Sequence, residues 1–382
     1  MSLSPILFLV AAAHFFNDIY MGFLTPLFPI VMVKFHLSLS MIGTISMVAA
    51  LASALSQPAF GMLFDRFGVT SAVYLAPLLT GVLISTLGVT SSYPLFLALL
   101  FLGCLGSAAF HPKGASVTPS LSGRHPEMGM ALFSAGGNLG FAAGPAVMAL
   151  FVAAWGFQST PVLALPAAAV ALALFLLLPA REMEKRTRTD SRVTWRGLLS
   201  DKAGFTVLLR LVFINFSLQA AIRGLQTYLP VYMAGLSIPV TRIGVVFTVM
   251  LALGAVISIF ASSLARRTGK RPLILVSILA SVPLCISGFL LLPSVWGYVL
   301  SMLGGISLTF SNPLLILFAQ KHSGGSPALA SSLIMGISWG LAGLLMVPLG
   351  ALGDLVGLKG TLAAASAFPL VSAVACLRVP RE

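Results

Sequence analysis

Long apolar stretches alternate with short polar connections along this chain. Each stretch runs about 20 to 28 residues, enough at ~1.5 Å per residue to cross a hydrocarbon core of roughly 30 Å. Lipid offers no partner for backbone N–H and C=O groups, so stretches of this kind are predicted to be helices. The runs of Ala, Leu and Gly are not the ~10-residue alternating strands of a membrane barrel. Twelve spans are predicted, at roughly 6–33, 40–64, 70–90, 94–118, 127–152, 158–179, 204–233, 241–264, 272–292, 295–319, 327–351 and 359–378.

Composition supports the same class. Of 382 residues, 58% are hydrophobic and 8% charged. A soluble domain carries about 25% charged residues and could not keep its surface wet with so few. The net charge of +13 invites a nucleic-acid reading. Yet the bases sit in the connections between spans, without a patch of interleaved aromatics. With a cytoplasmic N-terminus, sixteen Lys and Arg fall on inside segments, and only Lys34, Arg242 and Lys359 on outside ones. The positive-inside rule then places both termini in the cytoplasm. Cys104, Cys285 and Cys376 lie in apolar stretches at unrelated spacings and read as packing residues. A long first stretch without a basic start does not read as a cleavable leader.

The longest polar interval divides the chain. It predicts a six-helix bundle over 1–180, a cytoplasmic linker over 181–202 with a short amphipathic helix around Trp195, and a second bundle over 203–382. The halves repeat. At a shift of 201, Pro29 falls on Pro230, Gly43 on Gly244, Gly68 on Gly269, Gly103 on Gly304 and Pro112 on Pro313. Near the fifth and eleventh spans the shift is 200, and Gly136 and Gly140 meet Gly336 and Gly340. Single Gly or Pro matches are common in membrane helices, but a constant register is not. Parallel six-span repeats suit an alternating-access transporter with its site between halves.

Ionisable groups inside lipid are costly and usually functional. Asp18 is the one mid-span carboxylate of the nine acids. His14 lies four residues before it, on the same helical face. Such a pair can carry a proton; alternatively, Asp18 ties the first helix to a neighbour. In the fourth span, His111-Pro112-Lys113 offers an imidazole at a proline kink. His111 can assist the proton, or be a satisfied core histidine. Lys113 can serve a cavity, or snorkel toward the cytoplasm. Arg223, in the seventh span, can neutralise Asp18 or grip an anionic substrate by its fork of donors. Asn17, Asn138, Gln219, Gln226 and Asn312 are further polar span residues expected to contact substrate, with His111, Lys113 and Arg223. Gly61, Asp65, Arg66 and Gly68 close the second span in a short turn, a candidate conformational latch or a solvated ion pair. Gly140, Gly144 and Pro145 continue a small-residue face that permits close helix approach, for packing or for motion. There is no ATP-binding loop and no His/Cys grouping at metal-ligand spacing. No catalysis, cofactor or metal is expected.

Gly61-Met-Leu-Phe-Asp65-Arg66-Phe-Gly68 resembles the loop signature of the major facilitator superfamily, Gly-x-x-x-Asp-Arg-x-Gly. It departs after Gly68, where Val69-Thr70 replaces the usual basic residues and weakens the latch. Gly140-x-x-x-Gly144-Pro145 resembles the fifth-span signature associated with exporters, without its further Gly pair. His14-x-x-Asn17-Asp18, Phe110-His111-Pro112 and Gly136-Gly137-Asn138-x-Gly140 together resemble the fosmidomycin-resistance branch. The resemblance covers most of the first half. It implies an all-α membrane fold of twelve helices in two six-helix bundles. It also implies proton-coupled efflux of a small amphiphilic or anionic compound across the bacterial inner membrane. His14, Asp18, His111 and Asn138 are its motif positions. The expected partners are a small-molecule substrate, protons and lipid, with no nucleic acid and a monomeric chain. Proton-coupled import of an organic anion or metal chelate is the alternative. A membrane receptor or scaffold would leave the repeat and the mid-span charges unexplained.

Overall fold

Helix starts follow local chemistry. Ser4 accepts a hydrogen bond from the Ile6 amide (3.3 Å), and Pro5 opens the first turn, where a missing N–H costs nothing. Pro94 and Pro126 sit likewise in the first turns of Tyr93–Leu121 and Pro126–Trp155. Ser294 caps Val295–Phe310 through the Gly297 amide. The computed structural model describes residues 4–67, 69–178, 202–323 and 327–380, and over these the chain is almost wholly helical. The expected linker helix around Trp195 lies outside the described residues, as do Gly68 and the side chain of Asp65.

Among the described residues, eleven helical segments are long and apolar enough to cross a membrane. Ten match predicted spans one for one. The last, Ala330–Leu377, has 48 residues, more than twice what one crossing needs. It breaks at Gly357, where φ is 80°, a left-handed value that side chains with a Cβ resist. That break separates the eleventh and twelfth crossings. Gly156, with φ 82°, ends the fifth crossing 201 positions earlier, so the repeat extends to the backbone of its turns.

The chain gathers into two compact units. One draws on Met1–Leu27 and Leu51–Asp190, the other on Phe28–Ala50 and Ser191–Glu382. In the first unit, the helix Pro5–Gly22 packs on the fifth crossing, Pro126–Trp155, through glycine. Gly136, Gly140 and Gly144 recur every fourth residue, and each faces a backbone carbonyl of the first helix: Ala11, Phe15 and Ile19, also four apart. A Cβ at any of the three would strike main chain, which cannot yield as a side chain can. Bare glycine therefore sets how closely the two helices approach.

In the second unit, the segment Phe28–Ala50 packs with the later helices. Thr227 Oγ1 donates to Ser46 Oγ at 2.9 Å, and the Tyr228 hydroxyl donates to the Met346 carbonyl. Asp354 accepts the Leu39 and Ser40 amides at 2.7 and 3.1 Å. Its carboxylate thus caps the helix Leu39–Phe67, where the unsatisfied N–H groups and helix dipole favour negative charge.

Candidate functional site

The first unit brings three ionisable side chains together. His14 and Asp18 project from one face of the first helix, and His111 from the fourth crossing, Tyr93–Leu121. His14 Nε2 lies 3.3 Å from Asp18 Oδ2, and His111 Nε2 lies 3.3 Å from Asp18 Oδ1. Side-chain exposure rises from 8% at His14 through 16% at Asp18 to 29% at His111, so the cluster opens on the His111 side.

Neighbouring residues fix the orientation of both rings. His14 stacks on Phe133, with centroids 4.0 Å apart, and meets His111 edge-on at 5.1 Å. Gly137 is bare where the His14 ring passes; a Cβ would occupy the space of the imidazole. His14 Nδ1 contacts the Phe133 carbonyl at 2.8 Å, and His111 Nδ1 the Ser107 carbonyl at 2.7 Å. A carbonyl only accepts, so each Nδ1 carries the hydrogen. In a neutral ring, Nε2 is then a bare lone pair, and both Nε2 atoms face carboxylate oxygens. Two acceptors at 3.3 Å repel unless a cation lies between them.

Asn17, expected among the substrate contacts, is fully buried. Its amide donates to Asp18 Oδ1 at 2.8 Å and to Ser107 Oγ at 3.0 Å. It therefore holds the carboxylate. Lys113 is buried two positions beyond His111, whereas Asn138 is exposed. A Cβ at Gly61 would meet Pro112 at ordinary contact distance, and Arg66 is exposed with its guanidinium over the Phe67 ring. Gly140, Gly144 and Pro145 belong to the buried seam on the first helix.

The remaining candidates lie in the second unit. Gln219 Nε2 donates to Asn312 Oδ1 at 3.3 Å. The Arg223 guanidinium sits 5.9 Å from the centre of the Trp339 ring. Gln226 borders a small apolar cleft with Met250, Gly305 and Thr309. Asn215, which the sequence reading passed over, donates to the Ile334 carbonyl at 2.7 Å. It stands 201 positions after His14, and Ile334 stands 201 after Phe133. Applying the repeat shift to every polar span residue would have found it. The Ser107 and Phe133 carbonyls carried no such signal, because a backbone acceptor has no residue type.

A family model described as Major Facilitator Superfamily matches residues 10–346. An uncharacterized MFS-type transporter of Bacillus subtilis, YfnC, is 28% identical, covering 98% of this chain and 92% of that protein. The fosmidomycin resistance protein of Escherichia coli is 26% identical, covering 90% of this chain and 85% of that one. Among solved structures, the nucleoside transporter NupG superposes with a TM-score of 0.77 at 14% identity, over 98% of this chain and 99% of that one. A bacterial homolog of the lysosomal transporter Spinster gives 0.71 at 15% identity, over 98% and 96%. Those structural likenesses speak for the fold.

Proposed function

This chain belongs to the Major Facilitator Superfamily, and from that premise we propose that it is a proton-coupled exporter of a small amphiphilic or anionic organic compound. It is a multi-pass membrane transporter and not an enzyme. Coupling and direction are the proposed parts. The observation that carries the coupling is the His14–Asp18–His111 cluster. Its Nε2-to-carboxylate contacts become hydrogen bonds only by taking up protons. Asp18 is the proton carrier in this reading, assisted by His14 and His111.

Export is supported by the similarity to a protein named for fosmidomycin resistance. In the second unit, Gln219, Asn312 and Arg223 supply neutral hydrogen-bonding groups and a cation beside Trp339, which suit an anionic or amphiphilic solute. Two six-span bundles, 1–180 and 203–382, with both termini cytoplasmic, would rock about that solute in alternating access. Purified protein in vesicles with an imposed pH gradient tests the reading against a panel of anionic and amphiphilic compounds. At least one should move uphill as the gradient dissipates. If no compound moves or alters the gradient, the proposal fails.

A further inference from the structure

We infer that His14, Asp18 and His111 also form a binding site for a divalent first-row transition-metal ion of the Zn²⁺, Co²⁺ or Ni²⁺ class, in competition with the protons. The inference uses the cluster of the transport reading but rests on ligand geometry alone.

Sequence spacing hides this site, because His111 lies 97 positions from His14. The fold brings one ligand atom from each of the three residues within 4.8 Å of one another. Ligands at 2.0–2.1 Å around a tetrahedral ion stand about 3.3–3.4 Å apart. Each imidazole Nε2 already stands at that edge length, 3.3 Å, from one oxygen of the carboxylate, His14 from Oδ2 and His111 from Oδ1. Coordination through one carboxylate oxygen would need the carboxylate to turn and the ligand atoms, now within 4.8 Å, to draw together around the ion.

The atoms presented are the right ones. Each Nδ1 is committed to a backbone carbonyl, leaving Nε2 to coordinate. That is the usual outer partner of a metal-bound histidine, fixing the tautomer and raising ligand basicity. Asn17 holds the carboxylate in the same way. Two imidazoles and one carboxylate suit borderline ions better than Mg²⁺ or Ca²⁺, which prefer all-oxygen shells. Together they supply one negative charge against two positive ones. The fourth position falls on the more exposed His111 side, open to water or a solute donor.

Tag-free protein, stripped of metal, provides the test. Added Co²⁺ should produce the visible absorption of a tetrahedral site, saturating at one ion per chain. His111→Asn, which copies the residue at the equivalent position of the second unit, should abolish it, as should His14→Gln. Asn17→Leu should weaken binding about 10–100-fold. Metal-edge X-ray absorption on the unmodified Zn²⁺ protein guards against variants that fail to fold. It should count two imidazoles. No tetrahedral signal, a signal that survives both histidine substitutions, or fewer than two imidazoles would overturn the metal site. Gradient-driven transport in metal-free vesicles without a Co²⁺ signal sinks the metal site alone. A Co²⁺ signal in protein that moves no compound sinks the transport reading alone.

Discussion

The polar clusters of the two units share one scaffold and differ in chemistry. His14, Asp18 and His111 stand 201 positions before Asn215, Gln219 and Asn312. In the first unit, His14 bonds the Phe133 carbonyl at 2.8 Å; in the second, Asn215 bonds the Ile334 carbonyl at 2.7 Å. The Asp18–His111 contact and the Gln219–Asn312 contact both measure 3.3 Å. The positions and distances thus recur between the units. The first unit fills them with groups that can gain and lose protons, the second with amides that cannot. An amide pair satisfies itself as donor and acceptor, whereas two neutral imidazoles facing a carboxylate cannot. The supporting contacts diverge as well. Asn17, which also donates to Ser107 Oγ, holds Asp18, while the counterparts of Asn17 and Ser107 at the 201-residue shift, Leu218 and Leu308, are buried apolar residues. Gly137 clears space for an imidazole in the first unit, and in the second Ser338 donates to the Val212 carbonyl at 3.1 Å.

The largest expected effect comes from erasing that chemical difference. Asp18→Asn gives the first unit a neutral cluster like the second. Uphill export driven by a pH gradient should be abolished, while folding and substrate exchange persist, because exchange needs no net proton movement. If Asp18→Asn still concentrates substrate, the proton passes elsewhere, with His111 the next candidate. A misfolded variant would instead make Asp18 a structural tie.

A second change removes only the support. Asn17→Leu combined with Ser107→Leu copies the other unit. Transport should slow by about 10–100-fold, as when a metal site loses the outer partners that orient its ligands. An unchanged rate would show that Asp18 needs no holding.

The seam is the third point of contrast. Gly140→Ala drives a methyl against the Phe15 carbonyl. It should destabilise the protein by about 1–3 kcal/mol, as overpacking does, and lower the melting temperature in detergent. Ser338→Ala, which removes one hydroxyl contact in the second unit, should cost about 0.6 kcal/mol, typical of interhelical bonds in lipid. Equal losses at the two positions would remove the distinction between a carbonyl-packed seam and a hydrogen-bonded one.

The smallest effect lies at helix starts. Leu39–Phe67 begins under the Asp354 carboxylate, whereas Val240–Thr268, its repeat partner, begins without a side-chain cap. Asp354→Asn should cost about 1 kcal/mol, since it keeps an oxygen acceptor but loses the charge at the helix start. A thermal shift indistinguishable from the unmodified protein would show that solvent already satisfies those amides.

The amino-acid sequence by itself determined the membrane class, the spans and the repeat. Apolar length and backbone satisfaction in lipid leave a chain of this pattern little else to be. It also placed Asp18 and His14 on one face, because four residues make about one helical turn. The tertiary structure alone decided what those groups meet. His111 reaches Asp18 across 93 positions, and Asn17 turns inward to hold the carboxylate. Gly136, Gly140 and Gly144 find carbonyls, and Asp354, a connecting-loop acid in the spacing, caps a helix more than 300 positions earlier in the chain. Periodicity specifies which side of a helix a residue occupies, since that depends on local geometry. Which helix lies opposite, and which of its backbone atoms are offered, follows from packing between distant segments, to which local pattern is blind.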